Sequence, residues 1–338
     1  MKRLTALLLC LLLVLPCCAS QGESYQKFQH YFFGTFDTII TLIGYEKEEA
    51  AFQTHAALAE GLMRRYHEIF DQYNAYDGVR NLYLVNQQAA TAPTPVEPEL
   101  MDLLLLVREW HQRYGDVTNP AMGAVLSLWH DARLGGVSLP DEAKLQAAAL
   151  HTDYSRVILD EEAGTVFFDD PALQLDLGAV AKGYAAQLTA DALRAQGFTS
   201  FILNAGGNVI CGDAPLDGRT EWTVAIEDVD AVSTRYKIGV VNRCVVTSGD
   251  YQRYYEVDGK RYHHLIDPTT LYPATYVQSV SILHPDSGLA DFLSTTAFLL
   301  PYEQSRALID SIPEAEGVWL LTDGTEHWTD GFEKLVKP

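Results

Sequence analysis

Three short stretches of this 338-residue sequence place reactive groups at spacings that could do chemistry. In Asp176-Leu177-Gly178-Ala179-Val180-Ala181-Lys182-Gly183 a carboxylate precedes a glycine turn, and a lysine follows in the first turns of a predicted helix. Free amides at a helix start, together with a lysine, suit an anion, and Gly178 lets the backbone come close to it. The stretch is neither G-x-x-x-x-G-K-[ST] nor G-x-G-x-x-G, so both of those nucleotide loops are rejected. Asp291 and Thr295 lie four apart on a second predicted helix and therefore share a face. A carboxylate and a hydroxyl so placed suit a hard cation such as Mg²⁺, which takes one or two protein oxygens and leaves its other positions to phosphate and water. Tyr262-His263-His264-Leu265 ends a predicted strand, where alternation turns only one histidine inward. A histidine near neutrality can take a proton from a hydroxyl nucleophile. Thr247-Ser248-Gly249-Asp250 lacks the G-x-S-x-G context of a hydrolase nucleophile. Each stretch also has a plainer reading: a helix start with a solvated lysine, a capped helix, a packed histidine.

The elements that must hold these groups follow from periodicity. Thr35 to Ile43 alternates as a strand, and Lys47 to Asn74 carries Ala51, Leu58, Leu62 and Ile69 at helical spacing. A proline-rich stretch, Ala89 to Pro98, precedes a helix over Glu99 to Tyr114. Ser155 to Asp160 and Val166 to Asp169 read as a hairpin, Leu173 to Leu177 as a short strand, and Ala179 to Gln196 as the helix carrying Lys182. Asn204-Ala205-Gly206-Gly207-Asn208 reads as a flexible loop, and Asp258-Gly259 as a tight turn that sets Glu256 against Arg261. A strand at Ser279 to Leu283, helices across Leu289 to Leu300 and Glu303 to Ile309, and a strand near Val318 close the chain. Length alone allows about two domains. The strands and helices mix without regular βα alternation, repeat or composition break, which favours one compact α+β unit.

With 24 basic against 45 acidic residues, the formal charge of -21 repels phosphate polymers and anionic lipid headgroups, so nucleic-acid binding is not expected. A single phosphate ligand would have to be held locally, with a cation. Lys2 and Arg3 precede an apolar run from Leu4 to Pro16, too short to span a membrane and arranged as an export signal. Leu15-Pro16-Cys17-Cys18 looks like a lipobox, with Cys18 favoured over Cys17 as the lipidated residue. The organisation expected is a signal peptide over 1–17, a lipidated N-terminus and tether over 18–30, and a catalytic body over 31–338. Cys211 and Cys244 could then form a disulfide or remain two buried thiols. No cysteine or histidine cluster has zinc spacing.

Taken in order, these segments resemble the ApbE-type FAD:protein FMN transferases. The resemblance runs through Gly34-Thr35, Asp116-Val117-Thr118, Asp176 to Tyr184, Asn204 to Asn208, Thr247 to Tyr251, His264 to Pro268 and Ala290 to Thr295. It implies mixed or antiparallel sheets with packed helices, and Mg²⁺-dependent transfer of the FMN moiety of FAD onto a threonine hydroxyl of an acceptor flavoprotein, with AMP leaving. Implied acceptors are subunits of Rnf- or Nqr-type redox pumps, reached by an enzyme anchored through lipid to the outer face of the bacterial cytoplasmic membrane. The resemblance also implies that His264 is the general base, and that Asp291, Thr295 and the Ala179 carbonyl hold the metal. Asp176, Lys182, Leu265 and Tyr114-Gly115-Asp116 match FAD-contacting positions, and Phe33 and Tyr76 match positions lining the flavin or adenine pocket. Leu271 stands where many members have glycine, and Asn119-Pro120-Ala121-Met122-Gly123 replaces a commoner T-V-G-P run. Two other activities fit the same groups: a Mg²⁺-dependent FAD pyrophosphatase, and a flavin-binding lipoprotein without turnover.

Overall fold

The computed structural model describes residues 24–230 and 232–337. The expected signal peptide and the Cys17-Cys18 pair lie outside them. Eight antiparallel strands form one sheet in which spatial order equals chain order. They are β1 (Gln26–Thr35), β2 (Thr38–Glu46), β3 (Phe201–Ala205), β4 (Asn208–Cys211), β5 (Arg243–Gly249), β6 (Val277–His284), β7 (Glu316–Leu321) and β8 (Glu326–Trp328). Long insertions between successive strands carry almost everything else.

Alternation along the strands gives the sheet two apolar faces. Ile40, Leu42, Val246, Val280 and Ile282 face a helical layer, whereas Tyr45, Val245, Leu283 and Val318 face a hairpin formed by Trp222–Glu227 and Thr234–Val240. The helical layer contains α1 (Glu49–Phe70), α2 (Pro98–Tyr114), α4 (Ala181–Ala195) and α5 (Ser287–Leu299), and a further helix, α3 (Gly123–Gly135), lies beside it. Every residue of α5 is buried, because α4 covers one side of it and β5 and β6 the other. Two of its hydroxyls are satisfied laterally: Ser294 pairs with Ser248 at 2.9 Å and Thr296 with Thr118 at 2.8 Å. A third apolar cluster joins α3 to the hairpin Tyr254–Val257 and Lys260–His263 through Trp129, Tyr255, Ile266 and Leu271.

The α+β class and the single compact unit stand, and the two-domain alternative falls, since one sheet threads the described chain from Gln26 to Trp328. Two local expectations change, and one open alternative is decided. The sheet begins inside the segment read as tether, because Gln26 to His30 pair in register with Leu42 to Glu46. Leu173 to Leu177 is extended but pairs with no long strand: Met122 bridges Gln174, and the Asn86 side chain bonds both the amide and the carbonyl of Leu175. Cys211 and Cys244 are separate buried thiols. They sit on neighbouring strands, but Cys211 pairs with Arg243, so Cys244 is one residue out of register and points to the opposite face.

Candidate active site

A cavity of about 650 Å³ opens where the α4 start, α5, the hairpin carrying His264, and the β1–β2 and β3–β4 turns converge. Asp291 and Lys182 line it, with Lys182 Nζ 3.8 Å from Asp291 Oδ1. The second carboxylate oxygen, Oδ2, accepts the Gly183 amide at 2.7 Å. That contact requires glycine, since a Cβ at 183 would stand 2.4 Å from the Ser287 carbonyl and 2.5 Å from Asp291 Cβ. It also redirects the first turn of α4. The Tyr184 amide bonds back to Val180, but the Gly183 amide goes to Asp291 and leaves the Ala179 carbonyl without its helical donor. Burial raises the pKa of Asp291 and lowers that of Lys182, and each charge supports the other across the gap. Thr295, one turn beyond Asp291, lines the same cavity, and no hydrogen bond engages its hydroxyl among the described residues.

The two histidines divide as strand alternation requires. His263 is buried, its Nε2 lies 2.9 Å from the Ala274 carbonyl, and its ring meets Phe298 edge-on. This is a packed core histidine, with burial pushing its pKa down to about 4. His264 lines the cavity, and its Nδ1 is enclosed without a hydrogen-bond partner. Burial first, then the charges of Arg253, His263 and Arg133, push its pKa down to about 3. At neutral pH it is an uncharged imidazole with a lone pair to offer. One space therefore contains a helix start with a lysine, an oxygen set of the kind that suits a hard cation, and a neutral imidazole.

A profile of the ApbE family matches residues 36–319, most of the chain. The chain belongs to the ApbE family. It is 35% identical over 309 residues to an FAD:protein FMN transferase of Treponema pallidum, covering 87% of this chain and 84% of that protein. It is 32% identical to one from Klebsiella pneumoniae, covering 77% of this chain and 79% of that protein. Among solved structures, the ApbE protein of Thermotoga maritima superposes with a TM-score of 0.83 at 26% identity, covering 93% of this chain and all of that one. The flavin transferase ApbE of Vibrio cholerae shares the fold, with a TM-score of 0.77 at 23% identity, over 92% of this chain and all of that one.

In this ApbE-family chain Asp176, Ala179, Lys182, His264, Leu265, Asp291 and Thr295 all line the cavity. Asp176 also shapes its own turn, accepting the Gly178 amide at 2.7 Å and the Gln72 amide group at 2.6 Å. Five positions assigned by resemblance lie off the lining. Phe33 is 61% exposed beyond it, with Phe36 at the wall instead. Tyr76 donates to the buried Asp71 carboxylate at 2.7 Å and so steadies the loop that presents Gln72 and Tyr73 to the cavity. Tyr114 packs against Phe292, Gly115 turns with φ of +105°, and Asp116 is exposed, while Val117 and Thr118 reach the wall. Sequence reading missed Arg133 and Arg253, which also line the cavity. Nothing in their local spacing marks them. Their shared signal is two cations without a direct carboxylate ion pair among the described residues, which becomes visible only after folding.

Proposed function

We propose that this chain transfers the FMN moiety of FAD to a threonine hydroxyl of an acceptor flavoprotein and releases AMP, with Mg²⁺ at Asp291, Thr295 and the Ala179 carbonyl. The observation that carries this reading is the unpartnered Nδ1 of His264 in the same cavity as the Lys182–Asp291 pair and the freed Ala179 carbonyl. The donor set is one carboxylate, one hydroxyl and one carbonyl. All are hard oxygens, and their number leaves positions for phosphate, which fits Mg²⁺. Bound there, the cation would offset charge on the pyrophosphate, as phosphoryl transfer generally requires. The residues supply the rest. The α4 amides and Lys182 hold the pyrophosphate, and the Gly183 amide fixes the Asp291 carboxylate. His264 takes the threonine proton as that oxygen bonds to the FMN phosphorus and the bridging P–O bond breaks toward AMP.

The test is to incubate the protein with FAD, Mg²⁺ and a threonine-bearing acceptor domain and weigh the acceptor. A mass gain of one FMN, lost with EDTA, supports the reading. Free FMN and AMP with an unmodified acceptor would instead support a pyrophosphatase, and FAD recovered intact would support a binding protein. Export and a lipid anchor at Cys18 would put the enzyme on the outer face of the cytoplasmic membrane, beside Rnf- or Nqr-type acceptors. Labelled fatty acid entering the wild type and the Cys17→Ala variant but not Cys18→Ala is the expected outcome.

A further inference from the structure

The hairpin that ends at His264 brings a second group to the chemistry. Tyr254 pairs with His263 and Glu256 with Arg261, so Arg253 and His264 follow just past the open end of the ladder, where the Arg253 charge and backbone act on the His264 ring. Residues opposite one another on an antiparallel pair share a face and lie about 5 Å apart at Cβ. Tyr255 and Tyr262, on that same face, line the cavity together with Arg253 and His264. Arg133 reaches the cavity from α3, with its guanidinium 3.2 Å from His130 Nδ1. The Arg253 guanidinium donates to the Phe36 carbonyl at 3.2 Å in the turn between β1 and β2. Neither arginine forms an ion pair with a carboxylate among the described residues, in a chain with 45 acids and 24 bases. The two are also close enough for Arg253 to disfavour the charge on Arg133. Asp37 and Asp176 act on Arg133, and Asp291 on Arg253, only from beyond ion-pair distance; two guanidinium groups lining one cavity without a directly bonded carboxylate suit an anion.

Resting on the transferase reading above, we propose that Arg253 and Arg133 together bind the AMP-side phosphate of FAD and stabilise the charge that appears on it as the bridge breaks. The charge balance makes this the place of need. The threonine oxygen gains the FMN phosphorus, and its proton goes to His264. The electron pair of the broken P–O bond goes to the AMP phosphate, which then carries one more negative charge than it had in FAD. Lys182 and a cation at Asp291 would offset charge on the pyrophosphate, and Arg253 lies near enough to act on both side chains. Two guanidinium forks offer paired N–H donors to the departing oxygens, which a lysine cannot match.

Substitutions at both arginines, followed by three readouts, test this. Arg253→Ala is expected to lower kcat by about 10²-fold while FAD binding, read by flavin fluorescence, changes by less than about fivefold. Titration calorimetry with AMP alone should show binding weakened about tenfold or more in Arg253→Ala and in Arg133→Ala. Guanidinium ion should restore part of kcat in Arg253→Gly. Arg253→Lys and Arg133→Lys, which keep the charge and lose the fork, serve if an alanine variant melts early. AMP binding within twofold of wild type in the Arg253→Ala/Arg133→Ala double variant would overturn the proposal. The AMP titration needs no turnover, so an absence of FMN transfer by the wild type would sink the transferase reading while leaving the arginine assignment separately measurable.

Discussion

At the scale of single residues, His264 keeps a ring nitrogen without a partner, whereas both nitrogens of His263 have one. A general base must be unprotonated, and burial beside Arg253 depresses the His264 pKa, so the base form persists well below the ordinary histidine range. In a ¹⁵N NMR titration of the ligand-free protein, the His264 ring should remain neutral at pH 5; a midpoint near 6.5 would contradict the site described here. His264→Ala should retain FAD and lose transfer by about 10²- to 10⁴-fold. A variant that flavinylates an acceptor at the wild-type rate would remove His264 from the mechanism. His263 has its partner in the Ala274 carbonyl, and its replacement should alter stability more than chemistry.

At the scale of elements, the decisive contact is between α4 and α5. Gly183→Ala would drive a methyl into the Ser287 carbonyl and Asp291 Cβ and push the helices apart. A cost of about 1–3 kcal/mol in urea unfolding is expected, with weaker Mg²⁺ binding because the Gly183 amide no longer holds the carboxylate. Leu271 poses the opposite problem. Its φ of +61° belongs to the left-handed region and costs about 1–2 kcal/mol in a residue with a side chain, yet that side chain is buried and its carbonyl accepts Trp129 Nε1 at 2.9 Å. Glycine would relieve the backbone and vacate the pocket, at about 1.5–3 kcal/mol for a leucine side chain plus the added chain entropy of glycine. Leu271→Gly should therefore be less stable although it relieves the backbone; a higher denaturation midpoint would show that the strain outweighs the packing. Local rules made much of this legible. Asp258-Gly259 sets a turn whose Glu256–Arg261 register follows from the dipeptide alone, and Asp291 and Thr295 share a face by helical spacing. Other features were not legible because their causes are long-range. The strand expected over Leu173 to Leu177 is held by an asparagine 89 residues away, and α3 brings Arg133 to a hairpin more than a hundred residues later.

At the scale of the whole molecule, the acidity and the burial of Asp291 become one question of stability. Its pKa is raised in the folded state, so this group contributes stability below the unfolded carboxylate value and loses it as the pH rises through the folded value. At neutral pH the cation-free protein therefore holds a buried carboxylate offset only in part by Lys182 and the Gly183 amide. A divalent cation that binds the folded state alone should reverse this deficit, by about 2.7 kcal/mol at a concentration one hundred times its Kd. Mg²⁺ should accordingly raise Tm at pH 7.5 more than at pH 5, where protons compete for Asp291. Asp291→Asn should melt at the same temperature with and without Mg²⁺, and Thr295→Ala should shift only at higher Mg²⁺. These melts need neither FAD nor an acceptor. An equal Mg²⁺-dependent rise in Asp291→Asn would place the cation elsewhere on this acidic surface, whereas loss of the rise in Asp291→Asn alone would tie the stability of the fold to the atoms that position the pyrophosphate.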